Sequence, residues 1–276
     1  MGKYWFFALG LLAASAAAQA QDYSAHSFTL APEAEYYKYT EEAGGKELMH
    51  IDGPLYGLSG SYSHRGLFSG NGAWSVLGLE GRYLRGDLDY NGQLMDGTPI
   101  KISGESHYYA EARATAGIGF TLANDAIFTP YLGFGARYLV DNGQRVSAAS
   151  YRRTSTYLYL PMGAKLDFQL ADGFIIGLIG EFDWFLKGRQ TSRFTDITPL
   201  ADTLVQEQTD GYGLRGSVKV SKDMGGALSV FVEPYVRWWE IKDSEPSRLP
   251  SGPLAGWYVE PHNKTVEAGL RLGVEF

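Results

Sequence analysis

Three aspartates stand closest to the arrangement that water activation requires. Asp87 and Asp89 flank a single leucine, and Asp210 lies two residues before Tyr212. Paired carboxylates can position a water molecule, but attack near neutral pH also needs a base, the role histidine fills most readily. Tyrosine at 212 leaves the second acidic position without one. Asp87, Asp89 and Asp210 therefore read as rim acids able at most to bind divalent cations. The five histidines, His26, His50, His64, His107 and His262, show no metal-ligand spacing such as H-x-x-x-H. With no cysteine there is no thiolate nucleophile, thiolate metal site or disulfide framework. The expectation is a non-enzymatic chain with no catalytic residue, no metal and no cofactor.

The elements that carry these residues are strands. Side chains of a strand alternate between two faces, and alternation recurs ten times. The strands are read over 27–39, 50–62, 73–88, 105–121, 127–140, 156–170, 173–187, 209–221, 228–241 and the terminal stretch 262–276. The fourth is the clearest, with Tyr108, Ala110, Ala112, Ala114, Ala116, Ile118 and Phe120 opposite Glu105, His107, Tyr109, Glu111, Arg113 and Thr115. The second has the least clear register, because glycines and Pro54 interrupt it. The polar faces carry both signs of charge. Acids are Glu33, Glu35, Glu80, Glu111, Asp167, Glu181, Asp183, Glu233 and Glu267, and bases are Arg82, Arg113, Arg137, Lys165, Arg215, Lys219, Arg237 and Arg271. Short connections rich in Asn, Asp and Gly, such as Ala123-Asn124-Asp125, follow the even strands. Longer ones follow the odd strands, growing to Gly188–Gln208 and Lys242–Pro261.

Composition bounds the rest. Mean hydropathy is −0.19 over 276 residues, which excludes a helical membrane protein but suits a barrel whose strands are half polar. Net charge of −7 argues against a nucleic-acid partner. Residues 1–20 read as a Sec-type signal peptide: Lys3, an apolar run from Tyr4 to about Ala18, and the small-x-small site Ala18-Gln19-Ala20. Residues 21–276 then form one domain. A secreted β-sandwich would not require strands of about 12 to 16 residues, against a usual length of about 5 to 6.

The leader, the repeated two-faced strands and the last strand, whose apolar face runs Val266, Ala268, Leu270, Leu272, Val274, Phe276, together resemble a bacterial outer-membrane β-barrel of the opacity-type and porin-like kind. The resemblance implies a closed, antiparallel, up-and-down transmembrane barrel of about ten strands in the cell outer membrane. It implies outer-membrane lipid and lipopolysaccharide as surroundings, and an assembly machinery that reads Phe276. Two enzymatic barrel families are less similar. Omptin surface proteases place a histidine beside the second acidic position, where this chain has Tyr212. Lipid A deacylases place a serine two residues after their histidine, where His107 is followed by Tyr109. The expected role is structural, or surface interaction through the long loops. The lumen is expected to hold a network of Glu80, Arg82, Glu111, Arg113, Arg137, Lys165, Asp167, Glu181, Asp183, Arg215, Lys219, Glu233, Arg237, Glu267 and Arg271. A narrow channel lined by the same charges is the alternative, and a rim-sited hydrolase a second.

Overall fold

The computed structural model describes residues 25–70, 72–93, 97–122 and 126–276. The leader and the turn Ala123-Asn124-Asp125 lie outside the described residues. Thirteen strands are present among the described residues. They are β1 (His26–Ala43), β2 (Lys46–Gly70), β3 (Ala73–Gln93), β4 (Pro99–Thr121), β5 (Ile127–Asn142), β6 (Arg152–Gln169), β7 (Phe174–Arg193), β8 (Thr203–Gln208), β9 (Gly211–Asp223), β10 (Ser229–Ile241), β11 (Ser247–Leu249), β12 (Gly256–Tyr258) and β13 (His262–Glu275).

Ten of them close a barrel. Each of β1 to β7 pairs antiparallel with the next, β7 pairs with β9, β9 with β10, β10 with β13, and β13 returns to β1. Closure removes every free edge, so backbone groups in the wall are satisfied within it. Both termini meet at one rim. Phe28 donates its N–H to the Phe276 carbonyl at 2.7 Å and accepts the return bond at 3.0 Å. The Phe28 and Phe276 rings stack outside, 6.1 Å apart.

The outward face is an apolar belt. Leu30, Leu58, Leu79, Leu132, Leu178 and Leu272 are all exposed on it. Aromatic side chains bound the belt on both sides. Phe28, Phe120, Phe128, Phe168 and Phe174 mark the rim near the termini, and Tyr36, Tyr83, Tyr138 and Trp184 mark the far side. Aromatic girdles at both edges of an apolar band are the pattern of a membrane-spanning barrel, and the Tyr and Trp rings of the far side are amphipathic as a lipid–water interface favours.

Several strands run well past the belt at the far end. β2 begins at Lys46 and ends at Gly70, beyond the expected 50–62 on both sides. β3 continues to Gln93, β4 begins at Pro99, and β6 begins at Arg152. The stretch Gly188–Gln208 is not a plain loop. β7 continues to Arg193 and β8 pairs back onto it, Gly188 opposite Gln208 and Arg193 opposite Thr203. Within Lys242–Pro261, β11 and β12 form a small separate ribbon. In these extensions both faces are largely polar, so the hydrophobic contrast that reveals a strand is lost while its hydrogen-bond ladder continues.

Candidate functional site in the lumen

The inward face is stacked in layers along the barrel axis. Nearest the termini is a cavity of about 220 Å³. Thr29, Ser61, Thr115, Thr129, Lys165 and Lys219 are among the residues around it. Lys165 pairs with Asp167 at 3.0 Å, and Lys219 pairs with Glu275 at 2.6 Å while lying over the Phe231 ring.

Above the cavity lies a band of buried ion pairs. Arg113 donates to Glu80 at 2.7 and 3.0 Å and to Glu181 at 2.6 Å. Arg82 sits between Glu33 and Glu35, the latter at 2.8 Å, with Glu267 at 3.5 Å. Arg237 grips both oxygens of Glu111, the second at 2.7 Å, and Arg137 pairs with Glu267. Arg271 reaches Glu80 at 3.2 Å and Glu233 at 3.6 Å. The β10–β13 register sets Glu233 opposite Arg271 and Arg237 opposite Glu267. Tyrosines complete the bonding: Tyr109 donates to Glu35 at 2.9 Å and Tyr131 to Glu181 at 2.7 Å. A carboxylate or guanidinium taken out of water is tolerated when paired in this way. Asp183 departs from the pattern, being fully buried with neither oxygen hydrogen-bonded.

Above the charges the lumen turns apolar. Tyr37, Leu55, Leu84, Leu88, Leu139, Tyr157, Phe185 and Trp239 are buried against one another in a single cluster. The charge network expected from the sequence does not include this apolar layer. Its signal was present: Leu84 and Leu88 share the parity of Arg82, so they must face inward too.

A second charged group lies beyond the apolar layer, outside the belt. Arg153 pairs with Glu41 at 2.5 Å, lies 3.7 Å from both Asp141 and Glu260, and covers the Tyr39 ring. Tyr39 donates to Glu41 at 3.0 Å and to Glu260 at 3.3 Å. His107 pairs through Nδ1 with Asp141. Glu260 is anchored by its neighbour across the loop, its N–H donating to Ser244 Oγ at 2.8 Å. Burial, and then the charge of Glu41, pushes the Glu260 carboxyl up to about 8. Burial, and then Asp141, pushes Glu105 up to about 7. Asp141 is held low despite its burial because His107 faces it. Over this group folds an apolar cap of Phe194, Ala201, Leu204 and Leu249 with Tyr151, Leu254 and Tyr258.

No family model matches the chain, and no curated sequence relative does. Solved structures do. The outer-membrane protease OmpT from Escherichia coli is similar over 91% of this chain and 96% of its own, with a TM-score of 0.59 at 10% identity. The translocator domain of the autotransporter NalP from Neisseria meningitidis covers 91% of this chain and 89% of its own, with a TM-score of 0.40 at 10% identity. The likeness to OmpT is one of fold, a closed wall that is apolar outside and charged inside. The chain has the fold of an outer-membrane β-barrel.

In this outer-membrane barrel the three aspartates do not converge. Asp87 and Asp89 lie on the outward, exposed side of β3, with Leu88 buried inward between them. Asp210 is exposed, and Tyr212 turns outward, stacking on Phe182 and meeting Trp238 edge-on. His50 contacts Glu47 and Asp52, and His262 contacts Glu240 at 3.1 Å, all at the surface. The His107–Asp141 pair has the form of a base and its orienting acid. However, His107 is buried beside the Tyr37 ring, and its Nε2 atom reaches no partner and no solvent.

Two outcomes follow from this geometry. Removing Arg237 as Arg237→Ala strands Glu111 and part of Glu267, a loss of about 3–5 kcal/mol. Lys187→Ala breaks only the half-exposed pair with Glu207 and should leave the melt nearly unchanged. Denaturant melting of the folded barrel measures both. The second outcome concerns pH. Glu260 and Glu105 bind their protons more tightly when folded than at their ordinary value of 4.5. Their contribution to the cap is complete below that value and drains as pH rises through about 7 and about 8. Hydrogen-exchange protection of residues 242–261, corrected for intrinsic rates, should fall between pH 5 and 9. Glu260→Gln should flatten that fall.

Proposed function

We propose that this barrel is non-enzymatic and non-conducting, and that it acts through the folded surface at its far, outward-facing end. The observation that carries the reading is the apolar layer over the ion pairs. Leu55, Leu84, Leu88, Tyr109 and Tyr159 have no solvent-exposed surface at all. The cavity left at that level is about 10 Å³, about the room that a single water needs and too little for a hydrated ion. A hydrated ion would have to displace both the packed rings and the paired charges. The rim that holds the termini faces the periplasm in this reading, and the cap of β8, β11 and β12 faces outward. Outer-membrane lipid and lipopolysaccharide surround the belt, and the assembly machinery engages the terminal strand with Phe276. OmpT is a protease, but the geometry gives its activity no support here. Asp87 and Asp89 face away from the lumen, Asp210 is exposed, and Tyr212 stands where the omptin pattern has a histidine.

The test is single-channel recording of the refolded mature chain in a planar bilayer. The expected trace has no steady conductance across the physiological voltage range. A stable, ohmic open level in the wild-type barrel would overturn the closed-lumen reading and promote the narrow channel.

A further inference from the structure

The cavity below the ion-pair band contains polar groups that the barrel itself does not satisfy. Most of its charges have close partners. Lys165, Lys219, Arg113 and Arg271 are each within 3.2 Å of a carboxylate oxygen. Arg215 is different. Its contacts to carboxylates among the described residues are Glu80 at 3.6 Å and Glu233 at 3.8 Å, both too long for hydrogen bonds.

The cause lies in the register. Arg215 on β9 sits directly opposite Arg237 on β10, and the acid opposite it on β7, Glu181, is already held by Arg113 and Tyr131. Like charges in that position repel. Arg237 resolves the conflict by reaching up to Glu111, which holds it with both oxygens. Arg215 is left lining the cavity with a guanidinium of five donors. Two acceptors beside it are also unused. Ser217, two residues along the same inward face of β9, has a buried Oγ with no hydrogen bond, and so has Glu233 Oε1. That oxygen is the acceptor end of the 3.8 Å contact from Arg215 Nη2, and Arg215 Nε is itself a buried donor with no hydrogen bond.

We propose that this cavity, which Arg215 and Glu233 both line, binds a small zwitterion, with its carboxylate on Arg215 and its ammonium on Glu233. A simple anion would satisfy Arg215 but crowd Glu233, and a simple cation would do the reverse. A solute carrying both charges a few atoms apart completes both, as an ω- or α-amino acid does. The volume of about 220 Å³ is that of roughly seven waters, which admits a solute of this size but not a folded partner. The hydroxyls of Thr29, Ser61 and Thr129 around the cavity suit a hydrated, polar guest. Access is from the rim that holds the termini, because the apolar layer blocks the other end.

The experiment is a calorimetric titration of the mature chain, refolded in an uncharged glucoside detergent, with γ-aminobutyrate as the probe. Acetate and ethylammonium, which carry one charge each, are the controls. The expected result is saturable binding at one site per barrel, about tenfold tighter than either control. Arg215→Gln should weaken it by about tenfold, the loss of a charge-assisted pair. Glu233→Gln, which removes the ammonium's charged partner, serves if Arg215→Gln does not refold, and should weaken it by about tenfold as well. Absence of saturable binding to the wild-type barrel overturns the proposal. So does acetate binding as tightly as the zwitterion, or a folded variant whose affinity is unchanged.

Discussion

A charge enclosed by a closed ten-stranded wall can pair only with what the other strands bring to it. Lipid outside offers no partner, and the lumen is too narrow for bulk water to screen its centre. That constraint orders this molecule. Glu111 on β4 meets Arg237 on β10, and Glu33 and Glu35 on β1 meet Arg82 on β3. Glu267 on β13 draws in Arg82, Arg137 and Arg237 from three strands. Each such contact ties together positions far apart in sequence. The network therefore stabilises the closed register as a whole, and a slip of one residue in any strand would turn its charges into the lipid.

The same constraint accounts for the layering. Arginine and glutamate satisfy one another in the middle of the barrel, where alternation forces polar residues inward. Farther out the inward positions become tyrosine, leucine, phenylalanine and tryptophan. Packed rings there shield the pairs from solvent and strengthen them by lowering the local dielectric. Beyond that seal the strands leave the membrane, and charges reappear under a cap where Arg153 serves several carboxylates. Its proton-sensitive acids Glu260 and Glu105 link the cap to pH.

The parts of this design that were legible in the sequence are those where the two faces differ in polarity. The ten membrane strands, the even strand count and the inward parity of residues such as Glu111 and Arg237 all follow from alternation against an apolar outer face. Where both faces are polar, as in Arg189–Arg193 and Thr203–Gln208, the same ladder left no pattern to read. The far-rim group was also hidden, because Glu41, Asp141, Arg153 and Glu260 come from four separate segments that only the barrel brings together. The like-charge opposition of Arg215 and Arg237 depends on the β9–β10 register, which composition and periodicity do not determine. Asp87 and Asp89, the most suggestive pair in the sequence, owe their spacing to a shared outward face and nothing more.

The central claim is that the outer half of the lumen is sealed while its inner end is open, and the chain's lack of cysteine makes this directly measurable. A single cysteine at Ser61→Cys lines the open cavity, and one at Leu84→Cys lies in the buried apolar layer. Labelling of the folded barrel with a small, charged methanethiosulfonate reagent compares the two. The account predicts rapid modification of Ser61→Cys and protection of Leu84→Cys until the barrel is unfolded. Modification of both at similar rates in the folded state would contradict it.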